Sequence, residues 1–173
     1  MPNVNPYGSY MVPLLEEVMR TDGPVLECGG GYLSTPLLHE LVASAERMVV
    51  TVEESERWFV RLLGFANEYH KVLHMAECSA ASWDRLLDRL DFPWSVVFVD
   101  NEPNEIVAQT KYGVRKHIVR RALATNAIVV VHDTEVGWFR DDPEWMDLIN
   151  EGAKVVRRCV YEGVPDTTVL CNA

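Results

Sequence analysis

Asp100, His132 and Asp133 close two apolar runs, "WSVVFVD" and "AIVVVHD", and Glu27 and Glu53 stand at the ends of two more, "VLEC" and "RMVVTVE". An ionised carboxylate accepts several hydrogen bonds, each strengthened by its charge. Such groups can hold paired ligand hydroxyls, take up a proton, or coordinate a hard cation. Histidine is the side chain most easily tuned to move a proton near neutral pH. The row His132, Asp133, Thr134, Glu135 is the most unusual strand end in the chain. Side chains on a regular strand alternate between faces. His132 and Asp133 are therefore not expected to enter one site together. Asp133 is expected to face the site, with His132 divided between a direct role and packing.

The stretch "VLECGGGYLST", Val25 to Thr35, offers a second kind of chemistry. Three consecutive glycines after a strand let the backbone turn tightly and come close to a ligand. A dinucleotide fingerprint needs a third glycine for helix–strand packing, and that position holds Ser34. A phosphate-binding Walker loop needs Gly-Lys-Ser/Thr, which does not follow.

These groups need a scaffold. Val/Ile-rich runs alternate with helical patterns five times. A further helix and two closing strands follow, joined by a turn with Gly163 and Pro165. Continuous apolar strands separated by helices predict a doubly wound α/β fold: a mostly parallel seven-stranded sheet covered on both faces, with an antiparallel C-terminal hairpin. In such sheets ligands bind at the carboxyl ends of the strands, where all four acids fall. Thr35 and Ser55 are expected to cap helices, with Pro36 at a first helical position. One domain spanning 1–173 is expected, with 1–23 as a helical segment and possible lid and 24–173 as the core.

With these features in order, the chain resembles the class I S-adenosylmethionine-dependent methyltransferases from Leu26 to the final hairpin. The catechol O-methyltransferase-like enzymes are the nearest branch. The resemblance rests on Glu27-x-Gly29-x-Gly31, an acid ending the second strand, an acid ending the fourth, and the hairpin. It implies that Glu27, Gly29 and Gly31 cradle the methionine end of S-adenosylmethionine and that Glu53 holds the ribose hydroxyls. It also implies that Ser79 and Ala80 bracket the adenine, that Asp100 faces donor and acceptor, and that Tyr10 in an N-terminal lid touches either. Asp100, Asp133 and His132 are the candidate catalytic groups. In the magnesium-dependent branch, Asp100 and Asp133 match two of three metal ligands, and Thr134 stands where asparagine is expected. Magnesium is therefore possible, with Glu102 or Glu135 as compensating ligands. Trp138 and Phe139 are candidate walls of an acceptor pocket.

Composition narrows the partners. Net charge is −10, unlike that of a nucleic-acid binder, so no nucleic-acid partner is expected. No apolar run reaches transmembrane length, the N-terminus does not read as a signal peptide, and the four cysteines lack metal-type spacing. A cytoplasmic protein with free thiols is expected. The basic run "KYGVRKHIVRR", from Lys111 to Arg121, is expected to be a solvated helix face. The reading at this stage is methyl transfer to a small-molecule oxygen or nitrogen, with a homodimer possible. The alternatives are a silent cofactor-binding module of the same fold and, less favoured, an NAD-dependent reductase.

Overall fold

The structure is a computed structural model and describes residues 8–101, 108–134, 143–159 and 165–173. Seven strands form one sheet: β1 (Val25–Cys28), β2 (Val49–Glu53), β3 (His70–His74), β4 (Val96–Val99), β5 (Ile128–His132), β6 (Ala153–Cys159) and β7 (Thr167–Asn172). Their order is β3-β2-β1-β4-β5-β7-β6. The first five run parallel, and β7 pairs antiparallel with β5 and β6. The expected mixed sheet with its C-terminal hairpin is what forms.

The central strands are buried along their whole length because helices cover both faces. α1 (Met11–Met19), α2 (Ser34–Leu41) and α3 (Glu56–Leu62) lie on one face. There Tyr10, Leu14, Val18 and Leu38 pack on Val25, Val49, Val96 and Phe98. α4 (Ala80–Leu90), α5 (Ala108–Ala124) and α6 (Pro143–Asn150) cover the other. There Trp83, Ile118, Val119 and Trp145 meet Leu26, Cys28, Val97 and Val129. No helix among the described residues is long and apolar enough to cross a membrane.

Strand register sets which side chains meet. Glu27 lies level with Thr51 on β2 and Phe98 on β4, and Phe98 is level with Val130 on β5. Two residues on, Asp100 and His132 project from the same face, beneath α1. The chain reverses its winding between β1 and β4, which places the crevice of an open α/β sheet at the carboxyl ends of these two strands.

Candidate active site

The glycine turn divides its labour among its three residues. Gly29 has φ +89°, and a Cβ there would lie 2.5 Å from the Asn101 backbone. Its lack of a side chain lets β1 and β4 close together. A Cβ on Gly30 would lie 2.2 Å from Leu62 Cδ1, so that glycine seats α3. A Cβ on Gly31 would meet only Ser34 Oγ, at 3.4 Å, leaving open space on its other sides. Gly31 is thus the glycine beside which a ligand has room.

Glu27 is fully buried. Its Oε2 accepts hydrogen bonds from Thr51 Oγ1 (2.6 Å) and Thr35 Oγ1 (2.9 Å). Thr35 was expected to cap α2. Instead α2 begins at Ser34 with no side-chain cap, and the Thr35 hydroxyl serves Glu27 while accepting from the Gly31 N–H at 3.0 Å. Behind Thr51 lies His70 Nε2 at 2.8 Å, and His70 Nδ1 is 3.1 Å from His39 Nδ1. Burial, with the neighbouring His39, pulls His70 down to about 4, so it is neutral at physiological pH. With the carboxylate ionised, one proton order satisfies the row: His39 donates to His70, His70 to Thr51, and Thr51 to Glu27. Every donor converges on Oε2, while Oε1 stays buried without a partner.

Burial raises the Glu27 carboxyl to about 7 despite the nearby Ser34 hydroxyl and the hydrogen bonds from Thr51 and Thr35. A carboxyl raised above its unfolded value is fully tolerated below about pH 4.5, and the fold loses stability as pH climbs through 7. Glu27→Gln is therefore expected to stabilise the free protein at pH 8 relative to wild type by roughly 1–3 kcal/mol. The gain is expected to shrink as pH falls from 7 and to vanish below about pH 4.5. Thermal melts of both proteins across that range check this; a gain independent of pH would refute the assignment.

Glu53 ends β2 and is nearly buried. Its Oε2 accepts from the Gly30 N–H (2.9 Å) and its Oε1 from the Ser55 N–H (2.6 Å). Each oxygen keeps a second acceptor direction. Desolvation raises its pKa, and the two backbone donors oppose the rise. Ser55 caps α3 as expected, accepting from the Trp58 N–H.

On the next loops the Ser79 hydroxyl caps α4 through the Ser82 N–H, and Ala80 opens that helix. Nearby, Asn101 Nδ2 donates to Glu54 Oε1 at 3.2 Å and lies 3.9 Å from Cys78 Sγ. Burial pushes the Cys78 thiol up to about 12, and Glu54 adds to the rise. Sequence reasoning missed Glu54 and Asn101, although each directly follows one of the strand-end acids.

At β5 the alternation expected from sequence does not hold. Asp133 has φ +56°, so the strand ends at His132 and the next carboxylate swings back beside it. One ligand atom each from Asp100, His132 and Asp133 lies within 4.8 Å of the others. His132 donates from Nδ1 to Asp100 Oδ1 at 3.0 Å, with Asp133 Oδ1 at 3.4 Å. This bond fixes the tautomer and leaves Nε2 with its lone pair, buried and without a partner. Burial lowers the His132 pKa, but the Asp100 hydrogen bond and the Asp100 and Asp133 charges outweigh it, and the net shift is upward. Tyr10 roofs the pair, its ring 4.8 Å from both His132 and Phe98. Burial, with the Asp100 charge close by, raises the Tyr10 phenol well above its ordinary value. Ser9 ties this segment to the sheet through the Pro165 carbonyl (2.5 Å) and the Thr167 hydroxyl (3.0 Å).

Arg115 overturns the expectation of a solvated basic helix. It is fully buried, and Lys116 nearly so. Its Nε donates to the Asn101 carbonyl (3.0 Å) and its Nη1 to the His132 carbonyl (2.9 Å). Nη2 lies 3.3 Å from Asp133 Oδ2 and 3.7 Å from Asp100 Oδ1. Three other basic residues of that helix pair outward: His117 and Arg121 with Asp84, Arg121 also with Asp88, and Arg120 with Glu151.

The magnesium set suggested by sequence, Asp100, Asp133 and Thr134, does not fit an ion here. The buried Thr134 hydroxyl is bonded to Thr168 Oγ1 at 2.7 Å, and the Arg115 guanidinium reaches both aspartates. Glu102, Glu135, Trp138 and Phe139 lie outside the described residues.

The loops around Gly31 do leave polar groups open to a ligand. Among the described residues Glu27 Oε1, Ser34 Oγ, Asn101 Oδ1 and His132 Nε2 are buried side-chain polar atoms that meet no hydrogen-bond partner at bonding distance, and all four line these loops. Buried polar groups are normally paired, so such a concentration marks a place where a polar ligand completes the bonding.

No protein-family model matches the chain, and no curated protein does. Solved structures do. An O-methyltransferase from Bacillus cereus, in complex with SAH, is 18% identical, with a TM-score of 0.66 over 99% of this chain and 82% of that one. The O-methyltransferase TomG from Streptomyces achromogenes, in complex with SAM, is 19% identical, with a TM-score of 0.63 over 95% and 78%. A fibrillarin/Nop5p complex is 13% identical, with a TM-score of 0.59 over 96% and 84%. The chain has the fold of the class I S-adenosylmethionine-dependent methyltransferases.

Proposed function

We propose that this chain binds S-adenosylmethionine and transfers its methyl group to an oxygen or nitrogen of a small molecule. The observation that carries the reading is the group of unpartnered buried polar atoms at the switch point of this fold. The O-methyltransferase neighbours, one bound to SAH and one to SAM, support it. The cofactor supplies an electrophilic methyl on a sulfonium.

The residues then have distinct tasks. Glu53 offers its two free acceptor directions to the ribose hydroxyls, while the Gly30 and Ser55 amides hold the carboxylate still. Glu27 Oε1 accepts from the methionine ammonium, and the space beside Gly31 admits the donor. The rim at Ser79, Ala80, Glu54 and Asn101 borders the adenine. Tyr10 excludes water above His132. Nε2 of His132 takes the proton of the acceptor hydroxyl or amine, and Asp100 orients the ring and stabilises the resulting imidazolium, as in other acid–histidine pairs.

Glu53→Ala is expected to weaken S-adenosylmethionine binding by about 10- to 100-fold, the size of lost charge-assisted hydrogen bonds. Glu53→Gln is expected to fall between the two. Equilibrium dialysis against labelled cofactor measures both, and undiminished binding by the alanine variant would refute the ribose assignment.

A further inference from the structure

We propose that Arg115 is the resident cation of the strand-end acids, and that the Asp100–Asp133 pair consequently takes no divalent metal ion. The inference stands on charge and geometry and does not require the methyl-transfer reading. Two carboxylates meet at the ends of β4 and β5, with ligand atoms close enough for one ion to draw them together. A pair of negative charges held this near, half-buried, needs a compensating positive charge. In this chain that charge arrives on the protein itself.

The guanidinium comes from α5, on the opposite side of the sheet from His132, and is wholly buried. Two of its nitrogens are fastened to main-chain carbonyls, that of Asn101 just past β4 and that of His132 at the end of β5. The third nitrogen is thereby aimed between the carboxylates, at 3.3 and 3.7 Å. A divalent ion bound there would stand within a few ångströms of a fixed positive charge. The third position would fall to the Thr134 hydroxyl, a weaker oxygen ligand than an asparagine amide and one already engaged with Thr168. Formal charge adds to the case: two aspartates and one arginine leave −1, where an unoccupied two-carboxylate site would present −2 to an arriving cation. For the reaction proposed above, the acceptor oxygen would then be oriented by side chains alone.

The helix shows why the arginine sits there. Arg115, Val119 and Ala122 follow helical spacing along one buried stripe, so the charge is carried on the face of α5 that packs against the sheet. A surface arginine on the opposite stripe could not reach the strand ends.

The test is direct metal binding, read by the electron paramagnetic resonance of Mn2+ and by calorimetric titration with Mg2+ and Mn2+. The proteins are wild type, Arg115→Met and Arg115→Ala. Wild type is expected to bind neither ion stoichiometrically, and its melting temperature to be unmoved by either ion or by chelator. Arg115→Met keeps the packing volume while removing the charge. It is expected to bind one Mn2+ more than about tenfold more tightly than wild type, with the gain abolished by adding Asp133→Asn. Circular dichroism establishes that each variant is folded, and the methionine variant serves if the truncation to alanine is not. Stoichiometric Mn2+ binding by wild type that is lost on Asp133→Asn would overturn the proposal. So would a folded Arg115→Met protein that binds the ion no better than wild type. Neither readout depends on methyl transfer, so failure here and failure of the proposed function are separately visible.

Discussion

His132→Gln is expected to lower kcat by about 10²- to 10⁴-fold while leaving cofactor affinity within about twofold, the range that removal of a positioned general base produces. The β4–β5 register sets Asp100 and His132 side by side on one face. The 3.0 Å bond from Nδ1 to Asp100 fixes the tautomer, so the free basic nitrogen is Nε2. The Tyr10 ring lies over His132, edge-on at 4.8 Å. Glutamine preserves much of the volume and a hydrogen bond to Asp100 but has no basic nitrogen. Asp100→Asn is expected to act in the same direction, because its amide no longer enforces the donor at Nδ1. Steady-state kinetics with separate kcat and KM, alongside direct cofactor binding, checks the pair. Full kcat in the glutamine variant would show that the proton leaves by another route.

Gly29→Ala carries the second large effect, and it falls on the fold. The residue combines φ +89° with a Cβ position 2.5 Å from main-chain atoms of Asn101, and backbone cannot move aside as a flexible side chain can. Left-handed strain costs about 1–2 kcal/mol for a residue with a side chain. Relieving the overlap must also prise β1 from β4 in the middle of the sheet. A total of about 4 kcal/mol or more is expected, enough to unfold a domain of ordinary stability at physiological temperature. Gly31→Ala is the control: its Cβ meets only Ser34 Oγ, so stability should change little. Its cost should appear instead in cofactor affinity. Urea melts of the two variants distinguish them, and equal destabilisation would show that the turn does not divide its roles as the structure indicates.

The contrast between these glycines shows what sequence can and cannot convey. The five parallel strands were legible because strands buried on both faces are written as unbroken Val/Ile runs. The acids were legible because each interrupts such a run at its carboxyl end. The partners of those acids were not. Thr51 reads as one more β-branched strand residue, and His70 as a polar start to an edge strand. Only the parallel pairing of β1, β2 and β3 aligns them behind Glu27. Asp133 misled because period-two alternation presumes a strand that continues, and its left-handed φ ends the strand one residue early. Arg115 was hidden in a basic run whose composition suggests solvent. A clue was present, since Arg115 falls in helical register with Val119 and Ala122. Its anionic partners, however, lie on two other strands, and no local pattern connects them. Asn101 and Glu54 were passed over because neither breaks the local pattern of its loop.

Calorimetric titration of the purified chain with S-adenosylmethionine, S-adenosylhomocysteine and NAD tests the central claim most directly. One equivalent of either sulfur cofactor is expected to bind and NAD to give no saturable heat, with both sulfur cofactors binding more weakly at pH 5.5 than at pH 8 because each carries the amino-acid ammonium that an ionised Glu27 is to hold. Absence of binding by both sulfur cofactors at either pH would contradict the account.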